Sequence, residues 1–290
     1  MAILELNNVT KRYPKFTLNN VSFSVTPGSI TGFIGRNGAG KTTTLKAIMR
    51  LISIDQGTVN VFGKSMAENE LELKQNISFS LSNGVFFPRR TLLDIEKVTS
   101  KFYKTWNHDS FMHYLEIFNL DGNKKVGELS QGMNVKFQLA LALSHEAKLI
   151  ILDEPTSGLD PISRDEIIEI FRKIVKSKER AILFYTHITS DLEKCASDIV
   201  YIRDGNIIDA TSKLNFMAKY CYVKGKIKDL KEADKSLLIS FRDEDNDEFE
   251  GLSKKDNASK LEQKFHISEP TLEQIMIFEE RGHANEKFII

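Results

Sequence analysis

The chain has 290 residues, enough for one large domain or two modest ones. Lys and Arg total 40 and Asp and Glu total 40, so the net charge is zero, which argues against a strongly basic nucleic-acid binder. No apolar run approaches the ~18 residues of a bilayer-spanning helix, so work at a membrane calls for a second chain to supply the spanning helices.

The first residues, 1–9, read as a mixed polar strand and not as a signal peptide. Strands are expected over 3–9 and 18–25, where apolar and polar residues alternate. Pro27-Gly28 then turns the chain into an apolar strand over 29–34. Next comes Gly35-Arg36-Asn37-Gly38-Ala39-Gly40-Lys41-Thr42, the pattern G-x-x-x-x-G-K-[ST]. Such a loop aims backbone N–H groups at phosphate oxygens, and its glycines let the backbone approach without a Cβ in the way. Lys41 reaches β- and γ-phosphates, and Thr42 offers a hydroxyl to Mg²⁺. A helix over 43–51, opening at Thr43, adds its N-terminal dipole to the anion site.

Further strands are expected over 58–62 and 76–81, and the pattern is helical from Thr91 to Ser144. Inside that span, Leu129-Ser130-Gln131-Gly132-Met133 precedes an apolar helix. Ser130, Gly132 and the helix N-terminus can present a hydroxyl, an N–H and a dipole to a phosphate, although a plain Ser N-cap explains the same residues. The apolar strand over 149–152 ends in Asp153-Glu154. Downstream of a phosphate loop, that places Asp153 beside Mg²⁺ and Glu154 where a general base polarises water. A helix over 164–176, a strand over 181–185 and a hairpin around Asp204-Gly205 complete a βα alternation, which implies a parallel sheet covered on both faces.

Near residue 212 the character changes. A strand over 237–241, an acidic turn over 243–247, a return strand, and a helix opened by a Thr271–Gln274 capping box and closed by Gly282 suggest a small α+β appendage. The two cysteines, Cys195 and Cys221, lack metal-ligand spacing and fit a reducing cytosol.

Taken in order, these motifs resemble the nucleotide-binding subunit of an ATP-binding cassette (ABC) transporter, over about residues 3–210. Residues 35–42 resemble Walker A and residues 149–153 resemble Walker B, with Glu154 at the catalytic-base position. Leu129–Met133 resembles the signature LSGGQ, with Gln131 for its first glycine and Met133 for its final Gln. Ser157-Gly158-Leu159-Asp160 resembles the D-loop, His187 the switch histidine, and Tyr13 the aromatic residue that stacks on adenine. The resemblance implies an α/β P-loop NTPase (RecA-like) core with an antiparallel β subdomain and a helical signature subdomain over 90–145. The cassette then spans 1–212 and the α+β accessory domain 213–290.

The chain departs from the family at Ser82, where a Gln or Glu normally completes the Mg²⁺ shell. A serine hydroxyl is shorter and uncharged, so it reaches the metal through an added water or not at all. Asn83 substitutes if the loop shifts by one residue. Phe86-Phe87-Pro88 beside it suits either a socket for a partner's helix or local packing.

What the resemblance implies is ATP hydrolysis with Mg²⁺ between two cassettes paired head to tail, the signature Ser130, Gln131 and Gly132 of one completing the site of the other and Asp160 lying at the dimer contact. The second cassette is an identical or a related chain. An integral membrane permease is the other partner, with no nucleic acid, and the chain works on the inner face of the cell membrane. Among family branches the likeness is to the ABC-2-type exporters of Gram-positive bacteria, which implies efflux of amphipathic peptides or hydrophobic compounds. A nucleotide sensor that does not hydrolyse remains the rival, because Ser82 weakens a metal contact.

Overall fold

The computed structural model describes residues 1–80, 87–244 and 246–287. The chain divides into two compact units, Met1–Ala210 and Thr211–Ile290.

The first unit opens with the antiparallel pair β1 (Leu4–Tyr13) and β2 (Phe16–Val25). Leu18 and Val21 both face the core despite an odd spacing, because the register shifts beside Val21 and Asn20 adopts φ 49°. Then come β3 (Ile30–Ile34), α1 (Lys41–Ile48), β4 (Gln56–Val61), β5 (Lys64–Ser65), α2 (Glu70–Lys74) and β6 (Ile77–Ser80). The helical span holds α3 (Leu92–Thr99), α4 (His108–Ile117) and α5 (Gln131–Ser144). The unit continues through β7 (Leu149–Asp153), α6 (Pro161–Val175), β8 (Ala181–Tyr185), α7 (Thr189–Cys195), β9 (Asp198–Arg203) and β10 (Asn206–Ser212).

Two sheets result, one ordered β2-β1-β4-β5 and the other β10-β9-β3-β8-β7-β6. In the second sheet β6, β7, β8, β3 and β9 are parallel. β10 joins at the edge through Asp204-Gly205, whose positive φ values of 47° and 78° make a type I′ turn. Every residue of β3, β7 and β8 is buried, as a sheet covered on both faces requires. Their carboxyl ends release the chain at Gly35, Glu154 and Thr186, and ligands of open α/β sheets bind at such ends.

Several expectations shift. α1 begins at Lys41 and not at Thr43, so the lysine belongs to the first helical turn. The span 91–144 is not continuously helical: Thr91 and Asp94 form a capping box for α3, Asn107 caps α4, and Asn119 at φ 53° ends the turn after it. Ser82, Asn83 and Phe86 lie outside the described residues, while Phe87 and Pro88 are exposed.

The second unit carries α8 (Lys213–Met217), β11 (Tyr220–Lys226), α9 (Glu232–Lys235), β12 (Leu238–Glu244), β13 (Glu248–Lys254), α10 (Ala258–Leu261), β14 (His266–Ser268) and α11 (Leu272–Lys287). Its antiparallel sheet has the order β12-β13-β11-β14 around Val223, Phe249, Leu261 and Phe265. β11 escaped the sequence reading because its first four residues are all buried and show no two-residue period. Gly282 does not close the last helix, which runs to Lys287. A Cβ at Gly282 would come 2.8 Å from the main-chain oxygen of Ile239, so this glycine serves close packing of α11 on β12.

Candidate nucleotide-binding and hydrolysis site

The phosphate loop leaves β3 at Gly35, whose φ of 151° a side chain rarely adopts and whose Cβ would meet the Ile202 oxygen at 2.2 Å. Gly40, at φ 113°, caps α1, and a Cβ there would lie 2.9 Å from the Phe16 ring. The N-cap of α1, Gly40, has no side chain with which to cap the helix. The loop is tied to the β9–β10 turn by the Gly205 N–H, which donates to the Ala39 oxygen at 2.9 Å. Arg36, Asn37 and Gly38 are exposed on its crest, Thr42 is exposed, and Thr43 is half-buried.

Above the loop lies a cavity of about 620 Å³, lined by Lys15, Phe16, Asn37, Gly38, Gly40, Lys41, Thr42, Thr43 and Tyr185. Lys41 is buried; its Nζ donates to the oxygens of Gly35 and Arg36 and sits 4.9 Å from the centre of the Tyr185 ring. The ammonium is therefore held by carbonyl dipoles and a π face, both of which phosphate oxygens outbid in charge.

β7 ends in Asp153, which is buried and pairs with Tyr185 across the strands. Glu154 follows at φ 51°, a left-handed conformation strained for a glutamate. Its N–H donates to the Tyr185 oxygen at 2.9 Å. Its carboxylate accepts from the Thr186 hydroxyl at 3.2 Å and the His187 N–H at 3.2 Å, and lies 2.7 Å from His187 Nδ1. The His187 side chain is 59% exposed, so its far ring edge is open to solvent. Burial, reinforced by the charges of Glu154 and Asp153, pushes the Tyr185 phenol far above its ordinary value, so it stays protonated.

Ser130 caps α5, accepting from the Met133 N–H at 3.3 Å. Gln131 is exposed and turns its side chain to the D-loop: a Cβ at Gly158 would lie 2.5 Å from Gln131 Oε1. Gly132 is buried with Leu159 and Ser163 at ordinary contact distance from where its Cβ would be. Signature and D-loop are therefore neighbours, and none of residues 129–133 lines the cavity above Lys41. Asp160 caps α6, accepting from the N–H groups of Ile162 and Ser163 at 3.0 Å each. Hydrogen bonds from Ser163, led by its side chain, hold the Asp160 carboxyl below its usual range.

Tyr13 ends β1 opposite Phe16, 41% exposed, with Lys11 Nζ 5.7 Å from its ring centre. It is not among the residues lining the cavity, whereas Phe16, across the hairpin, is. Sequence reasoning missed Phe16 and Tyr185. Phe16 had a signal, an aromatic three residues after Tyr13; Tyr185 had none, because it completes an apolar strand.

Among the described residues, no group of three or more His, Cys, Asp or Glu side chains is arranged to hold a metal by itself. The acid of Asp153 and the hydroxyl of Thr42 are hard oxygen donors, the type that Mg²⁺ takes in small number when phosphates and waters supply the rest.

Residues 18–157 match the family described as "ABC transporter". The chain is 31% identical over 210 residues to the bacitracin transport ATP-binding protein BcrA of Bacillus licheniformis, covering 71% of this chain and 69% of that protein. It is 28% identical over 206 residues to the ABC transporter ATP-binding protein YtrB of Bacillus subtilis, covering 71% and 70%. Among solved structures, an ATP-binding subunit of an ABC transporter superposes with a TM-score of 0.67 at 25% identity, over 73% of this chain and 91% of that one.

Proposed function

The chain belongs to the ATP-binding proteins of ABC transporters, and on that footing we propose that it powers an exporter of amphipathic peptides or hydrophobic antimicrobial compounds. It is an ATPase whose reaction is coupled to transport. The observation that carries the export reading is the 31% identity to a protein named for bacitracin transport.

In this reading the backbone of residues 35–42 and Lys41 grip the phosphates, helped by the dipole at the N-terminus of α1. Thr42 and Asp153 are the residues that would hold Mg²⁺, which when bound offsets charge on the phosphates. Glu154, oriented by Thr186 and His187, polarises the attacking water. Tyr13 and Phe16 flank the place of the base. Ser130, Gln131 and Gly132 lie away from the cavity of their own chain, which supports their completing the site of a second cassette, with Asp160 and the D-loop beside them. ATP then closes the pair, and hydrolysis reopens it.

ATP-binding subunits of this family dimerise and work with membrane permeases. Here the second cassette is an identical or a related chain, and the pair docks on the cytoplasmic face of the permease. No helix of the described residues is long and apolar enough to cross a membrane. Residues 1–212 act as the cassette and 213–290 as an accessory domain. The non-hydrolysing alternative drew on Ser82, which is outside the described residues, and nothing in the described site favours it.

The test is ATP-dependent accumulation of a labelled bacitracin-like peptide in inverted vesicles from cells expressing the chain with the integral protein that co-purifies with it. Accumulation that vanishes with Glu154→Gln is expected. Equal accumulation with and without ATP would overturn the export reading.

A further inference from the structure

α6 and α7 lie against each other, and polar ties of two kinds join them. One is at the surface: Lys194 Nζ lies 2.9 Å from Asp165 Oδ1, and both side chains are at least half exposed. The other is inside. The Asp191 side chain, on α7, is 1% exposed, and its Oδ2 faces Arg164 Nε, on α6, at 3.7 Å. That separation is an ion pair too wide for a hydrogen bond, and neither of these buried atoms has a hydrogen-bond partner among the described residues. Each end of the pair leads to a residue of the site. The Arg164 N–H donates to the Asp160 oxygen at 3.0 Å, in the first turn of α6. The Asp191 N–H donates to the Ile188 oxygen at 3.2 Å, the Ile188 N–H to the Thr186 hydroxyl at 3.0 Å, and that hydroxyl to the Glu154 carboxylate at 3.2 Å.

We propose that Arg164 and Asp191 are positioning residues of the ATPase site, the pair fixing α7 against α6 so that Thr186 and His187 stay on the Glu154 carboxylate. The inference rests on the reading of Glu154 given above. Stability alone does not account for the pair. A carboxylate oxygen buried without a hydrogen bond is costly, and hydrocarbon of similar volume in its place is often as stable or more so. What an ion pair adds is register: opposite charges attract most strongly at one setting of the two helices, whereas apolar side chains can slide. Register matters at this position. α7 has only seven residues, and His187 precedes it with a side chain 59% exposed, so packing does little to hold the imidazole. The surface tie between Lys194 and Asp165 is a poor substitute, because solvent and salt screen it.

Substitutions in the full chain separate register from stability. Asp191→Asn keeps the shape and removes the charge: kcat is expected to fall about tenfold or more, with KM for ATP within about twofold. Arg164→Met combined with Asp191→Leu replaces the pair by hydrocarbon. Its thermal midpoint should equal or exceed the parent's, while its kcat stays as low as that of Asp191→Asn. A merely structural pair would not lower turnover in a variant as stable as the parent, and this double variant decides the matter even if Asp191→Asn folds poorly. Asp165→Asn, which removes the surface tie, should leave kcat and KM within about twofold of the parent. Because the pair acts through Glu154, adding Asp191→Asn to Glu154→Gln should lower the residual turnover no further. A double variant with the parent's kcat, or one less stable than the parent, overturns the proposal alone, as does an Asp191→Asn loss that multiplies with that of Glu154→Gln. Parental turnover in Glu154→Gln overturns the reading of the site, and this inference with it.

Discussion

Glu154 Oε1 and His187 Nδ1 lie 2.7 Å apart, across the gap between the ends of two buried parallel strands. The contact depends on the left-handed backbone at Glu154, which swings its carboxylate off the line of β7 to the end of β8. Such strain costs on the order of 1–3 kcal/mol and persists only where the surroundings over-determine it. Here the Thr186 hydroxyl and the His187 N–H provide that determination.

Replacing Glu154 by Gln keeps the size and most of these contacts but removes the basic oxygen. Turnover should drop by about 10²–10⁴-fold while ATP still binds, leaving the closed pair of cassettes trapped with nucleotide. Steady-state ATPase assays together with size-exclusion chromatography in ATP check both halves. Undiminished turnover would remove Glu154 from its role.

Lys41→Ala should weaken ATP binding by at least about tenfold, the worth of a hydrogen bond to a charged group. The parent side chain is already inside the site, bonded to the Gly35 and Arg36 oxygens, so little reorganisation offsets its loss. A fluorescent-nucleotide titration measures the change. An unchanged dissociation constant would count against the loop as the phosphate grip.

How much of this was legible in the sequence depended on how local each signal is. The phosphate loop could be read because its glycines and Lys41 act through backbone geometry over eight positions. The position of Asp153 and Glu154 at the end of a buried strand could be read because a short apolar run ending in acid marks where such a strand leaves the sheet. The Glu154–His187 contact could not, since it joins residues 33 apart through strand order. Phe16 reaches the cavity only because the β1–β2 hairpin folds over Gly40. Gly282 was misread because close packing and helix termination leave the same residue in the sequence, and only the position of Ile239 tells them apart.

His145 predicts an acid-sensitive first unit. Its ring is buried, stacked on Tyr103 at 3.8 Å, with Nδ1 3.2 Å from the Gln75 oxygen. Burial pushes its pKa down to about 4, against an ordinary value near 6.5. Below about pH 6.5 the unfolded chain takes a proton that the folded chain refuses, so stability falls as the pH drops, and the loss stops growing near pH 4. The full effect is roughly 3 kcal/mol. Urea unfolding at pH 7.5, 6 and 4.5 should show the decline, and His145→Gln should flatten this part of it. An identical slope in the variant would assign the acid sensitivity to other groups.

Gly282→Ala sets two effects of opposite sign against each other in the second unit. Inside a helix, alanine is favoured over glycine by up to about 1 kcal/mol. The new Cβ, however, would lie 2.8 Å from the Ile239 oxygen and 3.1 Å from its Cγ2, and a main-chain oxygen in β12 cannot rotate away. Overpacking of this kind costs about 1–3 kcal/mol, so the clash should win and the variant should be less stable. Hydrogen exchange should then speed up along α11 and β12 while the first unit keeps its protection. A more stable variant would mean that α11 can shift off the sheet at little cost, and that Gly282 is not held there by Ile239.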